Sequence, residues 1–163
     1  MQVFGSVRAR FVRREVRSSQ LLKLHPAAEA SGCERVKMTK ILIVDDERAC
    51  RESLRLLLSL ENFDVETAAD GREALQIGSS FTPDVLIVDW LLGERRDGLK
   101  LAEAIRQLNP NVEAIVVSGY LSDDLEAEIE RLPSTQYLAK PFRPEELMAA
   151  VNRAAERSDG DSA

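Results

Sequence analysis

The sequence predicts an α/β domain in which a five-stranded parallel sheet is covered by helices on both faces, a doubly wound arrangement. Two observations carry this. From Lys40 onward, short aliphatic runs alternate five times with segments of helical period, a pattern that specifies a parallel sheet with right-handed crossovers. The connections between them are short, so each strand and the helix after it must pack as one unit.

The first strand is Ile41-Leu42-Ile43-Val44. Cys50, Leu54, Leu57 and Leu58 then recur at helical spacing. Phe63 to Thr67 alternates apolar and polar residues, as a half-buried or edge strand does. A short helix is expected around Arg72–Ile77. Val85-Leu86-Ile87-Val88 is the most continuous aliphatic run and therefore the central strand, buried on both faces, with Asp89 at its carboxyl end. The segment from Gly98 to Leu108 places Leu101, Ala102, Ile105 and Leu108 on one face, and Asn109-Pro110 ends it. The fourth strand is Ala114–Val117. Ser122 is placed to cap an acidic helix that runs through Arg131, with Asp123 and Asp124 at its positive end. The last strand is Gln136–Ala139, and Pro144 opens a final helix with Leu147, Val151 and Ala154 facing inward. Nothing foldable is expected after Arg157, so residues 158–163 read as a disordered tail.

A chain of 163 residues with 44% apolar content suits one domain of about 38–157 plus an extension. Cys33 and Cys50 have neither CxxC spacing nor a histidine cluster, which argues against a zinc site or a disulfide framework. No apolar run reaches the roughly 20 residues of a membrane span, and no secretory leader is evident. The expectation is a soluble, cytoplasmic protein. The net charge of −6 divides into about +5 for residues 1–37 and −11 for the rest. An acidic body is repelled by phosphate backbones, so proteins rather than nucleic acids are the expected partners.

In an open α/β sheet, ligands bind beyond the carboxyl ends of the strands. Those ends carry Asp45 and Asp46, then Asp89, Ser118 and Lys140. A dinucleotide or flavin site would need a glycine-rich turn after the first strand, where this chain has Val44-Asp45-Asp46-Glu47. Clustered carboxylates suit a hard cation instead, and Mg²⁺ prefers one or two carboxylates, waters and a phosphate oxygen. With such an ion and Lys140 neutralising developing charge, the already ionised Asp89 can act as a nucleophile toward an activated phosphoryl group. Ser118 would donate a hydrogen bond to a transferred oxygen. Each residue also has an ordinary explanation: Asp45 or Asp46 as a helix cap, Lys140 as a surface lysine, Ser118-Gly119 as turn chemistry. Their convergence on one sheet edge favours the functional reading.

These residues carry a resemblance. The pieces Ile-Leu-Ile-Val-Asp45-Asp46-Glu47, Asp-Gly-Arg-Glu-Ala-Leu at 70–75, Pro83-Asp84 leading to Val88-Asp89, Asp97-Gly98, Ser118-Gly119 and Lys140-Pro141-Phe142 make the chain from about Met38 to Arg157 resemble the receiver domain of two-component response regulators. The resemblance implies a flavodoxin-like strand order 2-1-3-4-5. It also implies Asp89 as phosphoacceptor, with Asp46 and Asp89 as direct ligands of Mg²⁺ (or Mn²⁺). Asp45 would bind that ion through water, and the Leu91 backbone carbonyl would complete its shell. Ser118 and Tyr137 become the switch pair and Lys140 the phosphate-pairing lysine. The implied donor is a phosphohistidine on a sensor histidine kinase or a histidine phosphotransfer protein. The implied output is a protein target met by the fourth helix, fifth strand and fifth helix. No output domain is seen to follow, so a stand-alone receiver is expected, one that catalyses only its own phosphorylation and slow dephosphorylation.

Two features depart from the family pattern. The loop from Asp89 to Gly98 lacks the usual proline and is one residue longer, so its partner contacts are expected to differ. His25, the single histidine, sits before a proline in the extension and resembles no phosphotransfer motif. Within residues 1–37, Phe4, Val7 and Phe11 beside five arginines could form a basic amphipathic helix. The favoured reading is disorder, or an extension outside the natural fold. A haloacid-dehalogenase-type hydrolase is the enzymatic rival, but it needs a second acid where Leu91 stands. A pseudo-receiver that binds partners without phosphorylation is the other, and the intact acidic set argues against it.

Overall fold

The computed structural model of the chain describes residues 38–93 and 97–160. The expectations for residues 1–37, for His25 and Cys33 within them, and for the middle of the long loop at 94–96 lie outside the described residues. Five strands form one parallel sheet: β1 (Lys40–Val44), β2 (Asp64–Ala68), β3 (Val85–Asp89), β4 (Glu113–Ser118) and β5 (Thr135–Ala139). Their order is β2-β1-β3-β4-β5, as the resemblance implies. The helices are α1 (Arg48–Leu60), α2 (Gly71–Phe81), α3 (Gly98–Leu108), α4 (Asp123–Arg131) and α5 (Pro144–Gly160).

Side-chain alternation along the buried strands creates two cores. Ile41 and Ile43 of β1, Val85 and Ile87 of β3, and Ile115 and Val117 of β4 pack with Leu54 and Leu58 of α1 and with Leu147, Val151 and Ala154 of α5. The intervening residues Leu42, Val44, Leu86, Val88, Ala114 and Val116 pack with Ala74, Leu101, Ala102, Ile105 and Leu125 of α2, α3 and α4. Continuous aliphatic runs were needed because both faces of these strands are dry, and each buried aliphatic side chain stabilises the fold by about 1.5–3 kcal/mol. The helices are unequally anchored. α3 buries Gly98, Leu99, Leu101, Ala102 and Ile105, whereas α4 buries Leu125 alone. Among the described residues, no helix is long and apolar enough to cross a membrane.

Caps define several helix starts. Ser122 accepts a hydrogen bond from Leu125 N, as expected, and Asp70 accepts one from Glu73 N at the head of α2. Glu146 reaches back to the Arg143 N–H at 2.8 Å, an N3 contact of the capping-box kind, and these bonds hold its carboxyl below the usual range.

Two helices are longer than the sequence reading. α2 continues to Phe81 because Ser79 and Ser80 satisfy their hydroxyls on the carbonyls of Gln76 and Ile77 and so remain compatible with a helix. α5 runs past Arg157 to Gly160 and corrects the boundary at 157, since Ser158 continues the buried stripe of Leu147, Val151 and Ala154. Arg157 Nη1 also lies 3.7 Å from Glu113 Oε2 at the start of β4.

α2 ends at Thr82, whose φ of 48° is left-handed. A β-branched residue there is strained by about 1–2 kcal/mol. Thr82→Gly is expected to relieve about 1 kcal/mol and raise Tm by about 4 °C for a domain of this size. A thermal melt that moved down would show that the hydroxyl bond to Phe81 O outweighs the strain.

Candidate functional site

The parallel register brings the strand ends to one edge. Val44 pairs with Val88, Val88 with Val116, and Ser118 with Ala139. Asp45 and Asp46 leave β1, Asp89 ends β3, Ser118 ends β4 and Lys140 follows β5. A carboxylate oxygen from each of Asp45, Asp46 and Asp89 lies within 4.8 Å of the others.

Neither Asp45 nor Asp46 caps α1; Glu47 holds that position without a side-chain cap bond. Asp45 is buried and fixed at every polar atom. Its N–H donates to Ala68 O (3.3 Å), its carbonyl accepts from Arg51 Nη1 (2.6 Å), and its Oδ1 accepts from Glu47 N (2.8 Å). Its Oδ2 accepts from Lys140 Nζ (3.0 Å). Asp46 is exposed, and its Oδ2 accepts from Gly93 N at 3.2 Å across the loop. Asp89 Oδ1 accepts from Leu91 N (2.9 Å), which holds the Leu91 main chain against this carboxylate, and Asp89 Oδ2 accepts from Lys140 Nζ (2.6 Å).

Lys140 thus bridges two of the three acids. Burial acts to lower its pKa, but hydrogen bonds to Asp89 and Asp45 outweigh burial and hold the ammonium above its ordinary 10.5. A cation with a raised pKa contributes stability that is present below pH 10.5 and lost only as the pH rises beyond it, so the bridge persists throughout the neutral range. The Lys140–Pro141 peptide is cis.

Ser118 is 3% exposed, and its hydroxyl is turned to its own loop: Oγ donates to Tyr120 O (2.9 Å) and accepts from Tyr120 N (3.3 Å). The backbone carbonyl of Ser118 accepts both Lys140 N (2.8 Å) and the Tyr137 hydroxyl (3.2 Å). Tyr137 packs against the α2–α3–α4 core, and burial pushes its hydroxyl pKa up. Leu91 and Tyr120 flank an open cleft of about 220 Å³ lined also by Trp90, Ser118, Gly119 and Ser122.

Three participants were missed by sequence reasoning. Arg51 grips the Asp45 carbonyl. Cys50, half-buried beside Asp45, has its thiol pushed up to about 12 by burial and by the Asp45 carboxylate, so it stays protonated and unreactive at neutral pH. At Gly98, a Cβ would collide with the Asp89 carbonyl oxygen and sit 3.0 Å from Trp90 Cα, so the start of α3 can approach the Asp89–Trp90 backbone only as glycine. The Asp97-Gly98 pair was a visible signal for the last. The other two needed the path of the loop.

The donor set is three carboxylates, all hard oxygen ligands, clustered where Lys140 now supplies the compensating charge. It fits a hard divalent cation such as Mg²⁺ and suits neither a soft metal nor an anion.

Comparison with known proteins agrees with this arrangement. A family model described as the response regulator receiver domain matches residues 41–152. Response regulator MprA of Mycolicibacterium vanbaalenii is 37% identical over 124 residues, covering 75% of this chain and 52% of that protein. The chain therefore spans about half the length of the curated relatives it matches. Among solved structures, a CheY-like receiver domain protein from Methanospirillum hungatei JF-1 is similar with a TM-score of 0.72 and 26% identity, covering 77% of this chain and 100% of that one. Chemotaxis protein CheY4 of Vibrio cholerae gives a TM-score of 0.67 and 31% identity over 72% of this chain and 99% of its own. Sequence, strand order and the acidic edge agree, and the chain belongs to the response regulator receiver domain family of two-component systems.

Proposed function

We propose that this domain takes a phosphoryl group onto Asp89 from a phosphohistidine on a partner, a sensor histidine kinase or a histidine phosphotransfer protein, and passes the change to a protein target through α4, β5 and α5. The observation that carries the reading is the bridge: Lys140 Nζ reaches both Asp89 and Asp45 within a cluster of three carboxylates whose oxygens lie within 4.8 Å. Asp45, Asp46, Asp89 and the Leu91 carbonyl would hold Mg²⁺ or Mn²⁺, which supplies charge neutralisation for the transferred oxygens.

In the transfer, a carboxylate oxygen of Asp89 attacks phosphorus in line with the leaving group. A P–O bond forms, the P–N bond of the donor breaks, and the imidazole leaves with the electron pair. A carboxylate nucleophile needs no base to take a proton from it. Lys140 can follow the charge from the carboxylate to the phosphoryl oxygens. Ser118 must turn its hydroxyl from Tyr120 O to meet them, and that rotation releases the 119–120 turn next to the Ser118 carbonyl on which Tyr137 is hydrogen-bonded. The reading places the protein in the cytoplasm, where it acts on proteins rather than on nucleic acid.

Incubation with acetyl phosphate and Mg²⁺ is expected to add one phosphoryl group by intact mass, and chelation with EDTA to prevent it. Uptake that ignored EDTA would overturn the cation role. No uptake from acetyl phosphate or from a phosphorylated kinase domain would overturn the reading.

The acyl phosphate is expected to be long-lived. Hydrolysis needs a water placed in line with the phosphorus–oxygen bond, and the side chains bordering that approach are an apolar Leu91, 47% exposed, and Tyr120, 76% exposed. Neither is suited to hold the water. Replacing them together, Leu91→Asn with Tyr120→Glu, should speed loss of label about tenfold, roughly 1.4 kcal/mol of barrier. Decay of the unaltered protein within seconds would contradict the argument.

A further inference from the structure

We infer that Arg51 is a positioning residue of the cation site, fixing the peptide that joins Asp45 to Asp46 and so aiming both carboxylates. The inference rests on reading Asp45, Asp46 and Asp89 as cation ligands. Arg51 sits in the first turn of α1, where its own N–H donates to Glu47 O (3.1 Å). From there its guanidinium reaches back six residues and donates from Nη1 to the Asp45 carbonyl at 2.6 Å. The peptide group is planar, so holding the oxygen of residue 45 also holds the nitrogen of residue 46 and the direction in which its Cα leaves.

The bonds to Ala68 O, Glu47 N and Lys140 Nζ anchor Asp45. The Arg51 bond acts on the hinge between the two acids. Beyond that hinge Asp46 is exposed and reaches the Gly93 N–H at 3.2 Å. An exposed carboxylate on a loop is a poor ligand unless its backbone is held, because ordering it on binding costs conformational entropy.

The argument has a sign that separates it from simple electrostatics. Arg51 is a cation close to the place a dication would occupy, so Coulomb repulsion alone predicts that removing it tightens metal binding. Positioning predicts the opposite. Arg51→Met keeps an unbranched apolar stem and the helix propensity while losing the guanidinium, both its charge and its donor. Arg51→Lys keeps the charge and one donor on a flexible stem.

The test is Mn²⁺ titration of the full chain, followed by the free-ion electron paramagnetic resonance signal, with Mg²⁺ competition and thermal melts as controls. Arg51→Met is expected to raise the Mn²⁺ Kd about tenfold and Arg51→Lys to recover most of that loss. The Mg²⁺ concentration for half-maximal labelling by acetyl phosphate should rise in parallel, with the plateau rate unchanged. A Met variant that binds as well as or better than the unaltered protein overturns the inference, as does a Lys variant no better than Met. Should the Met variant fail to fold, the Lys variant decides alone: a Kd two- to threefold higher supports positioning, and an equal or lower one refutes it. Absence of Mn²⁺ binding by the unaltered protein would instead remove the cation-site reading itself, and the inference with it.

Discussion

Asp89→Asn should take up no phosphoryl group from acetyl phosphate, leaving less than about one part in a hundred of the label carried by the unaltered protein. The carboxamide keeps the shape of the carboxylate and its oxygen can still accept from Leu91 N, which reaches Asp89 Oδ1 at 2.9 Å. It lacks the negative charge that makes Asp89 a nucleophile, and loss of a nucleophile costs several powers of ten in rate. Lys140 keeps Asp45 Oδ2 as a charged partner at 3.0 Å, so the fold should survive. Intact mass together with hydroxylamine treatment decides the matter, since hydroxylamine cleaves acyl phosphates. A stoichiometric, hydroxylamine-sensitive label on the Asn variant would move the acceptor to Asp45 or Asp46.

Lys140→Ala should separate labelling from transmission, the two events that the proposed function couples. The ammonium occupies Asp89 Oδ2 at 2.6 Å and Asp45 Oδ2 at 3.0 Å, the same carboxylates a cation would use. Its removal should therefore favour cation binding and still permit labelling. What should be lost is transmission. The Lys140 side chain ties Asp89 to the end of β5, and the variant loses that tie while keeping the backbone N–H that shares the Ser118 carbonyl with the Tyr137 hydroxyl. Coupling of this kind is typically worth about 1–3 kcal/mol, a factor of roughly 5 to 150 in the switch equilibrium. The amide resonances of α4 and β5 that shift on phosphorylation should stay near their unphosphorylated positions in the variant. If they moved as far as in the unaltered domain, Lys140 would not be the link.

How much of this was legible depends on the kind of residue. Ile41–Val44 and Val85–Val88 declared themselves because a strand buried on both faces must be aliphatic throughout. The acidic edge was legible for a related reason: with the strands fixed, the residue that follows each is fixed in space. Helix ends were harder, because Ser79, Ser80 and Ser158 look like loop residues until their hydroxyl bonds or burial are seen. The Arg51 contact was invisible, since a long side chain returning to a loop carbonyl leaves no periodicity. The direction of the Ser118 hydroxyl also belongs to the rotamer rather than to the residue type.

The shallow seating of α4 bears on timing as well as on strength. A helix whose one fully buried side chain is Leu125, with Ile129 only partly buried against the same core, has just a few kcal/mol of packing energy to lose on detachment. Segments of that kind open locally long before the whole domain unfolds. In hydrogen-exchange terms, the α4 amides should be replaced by deuterium well ahead of those of α3 and β4. On the proposed reading, the unphosphorylated domain already visits, briefly and rarely, arrangements of the surface a partner is to recognise. The signal has only to prolong those visits.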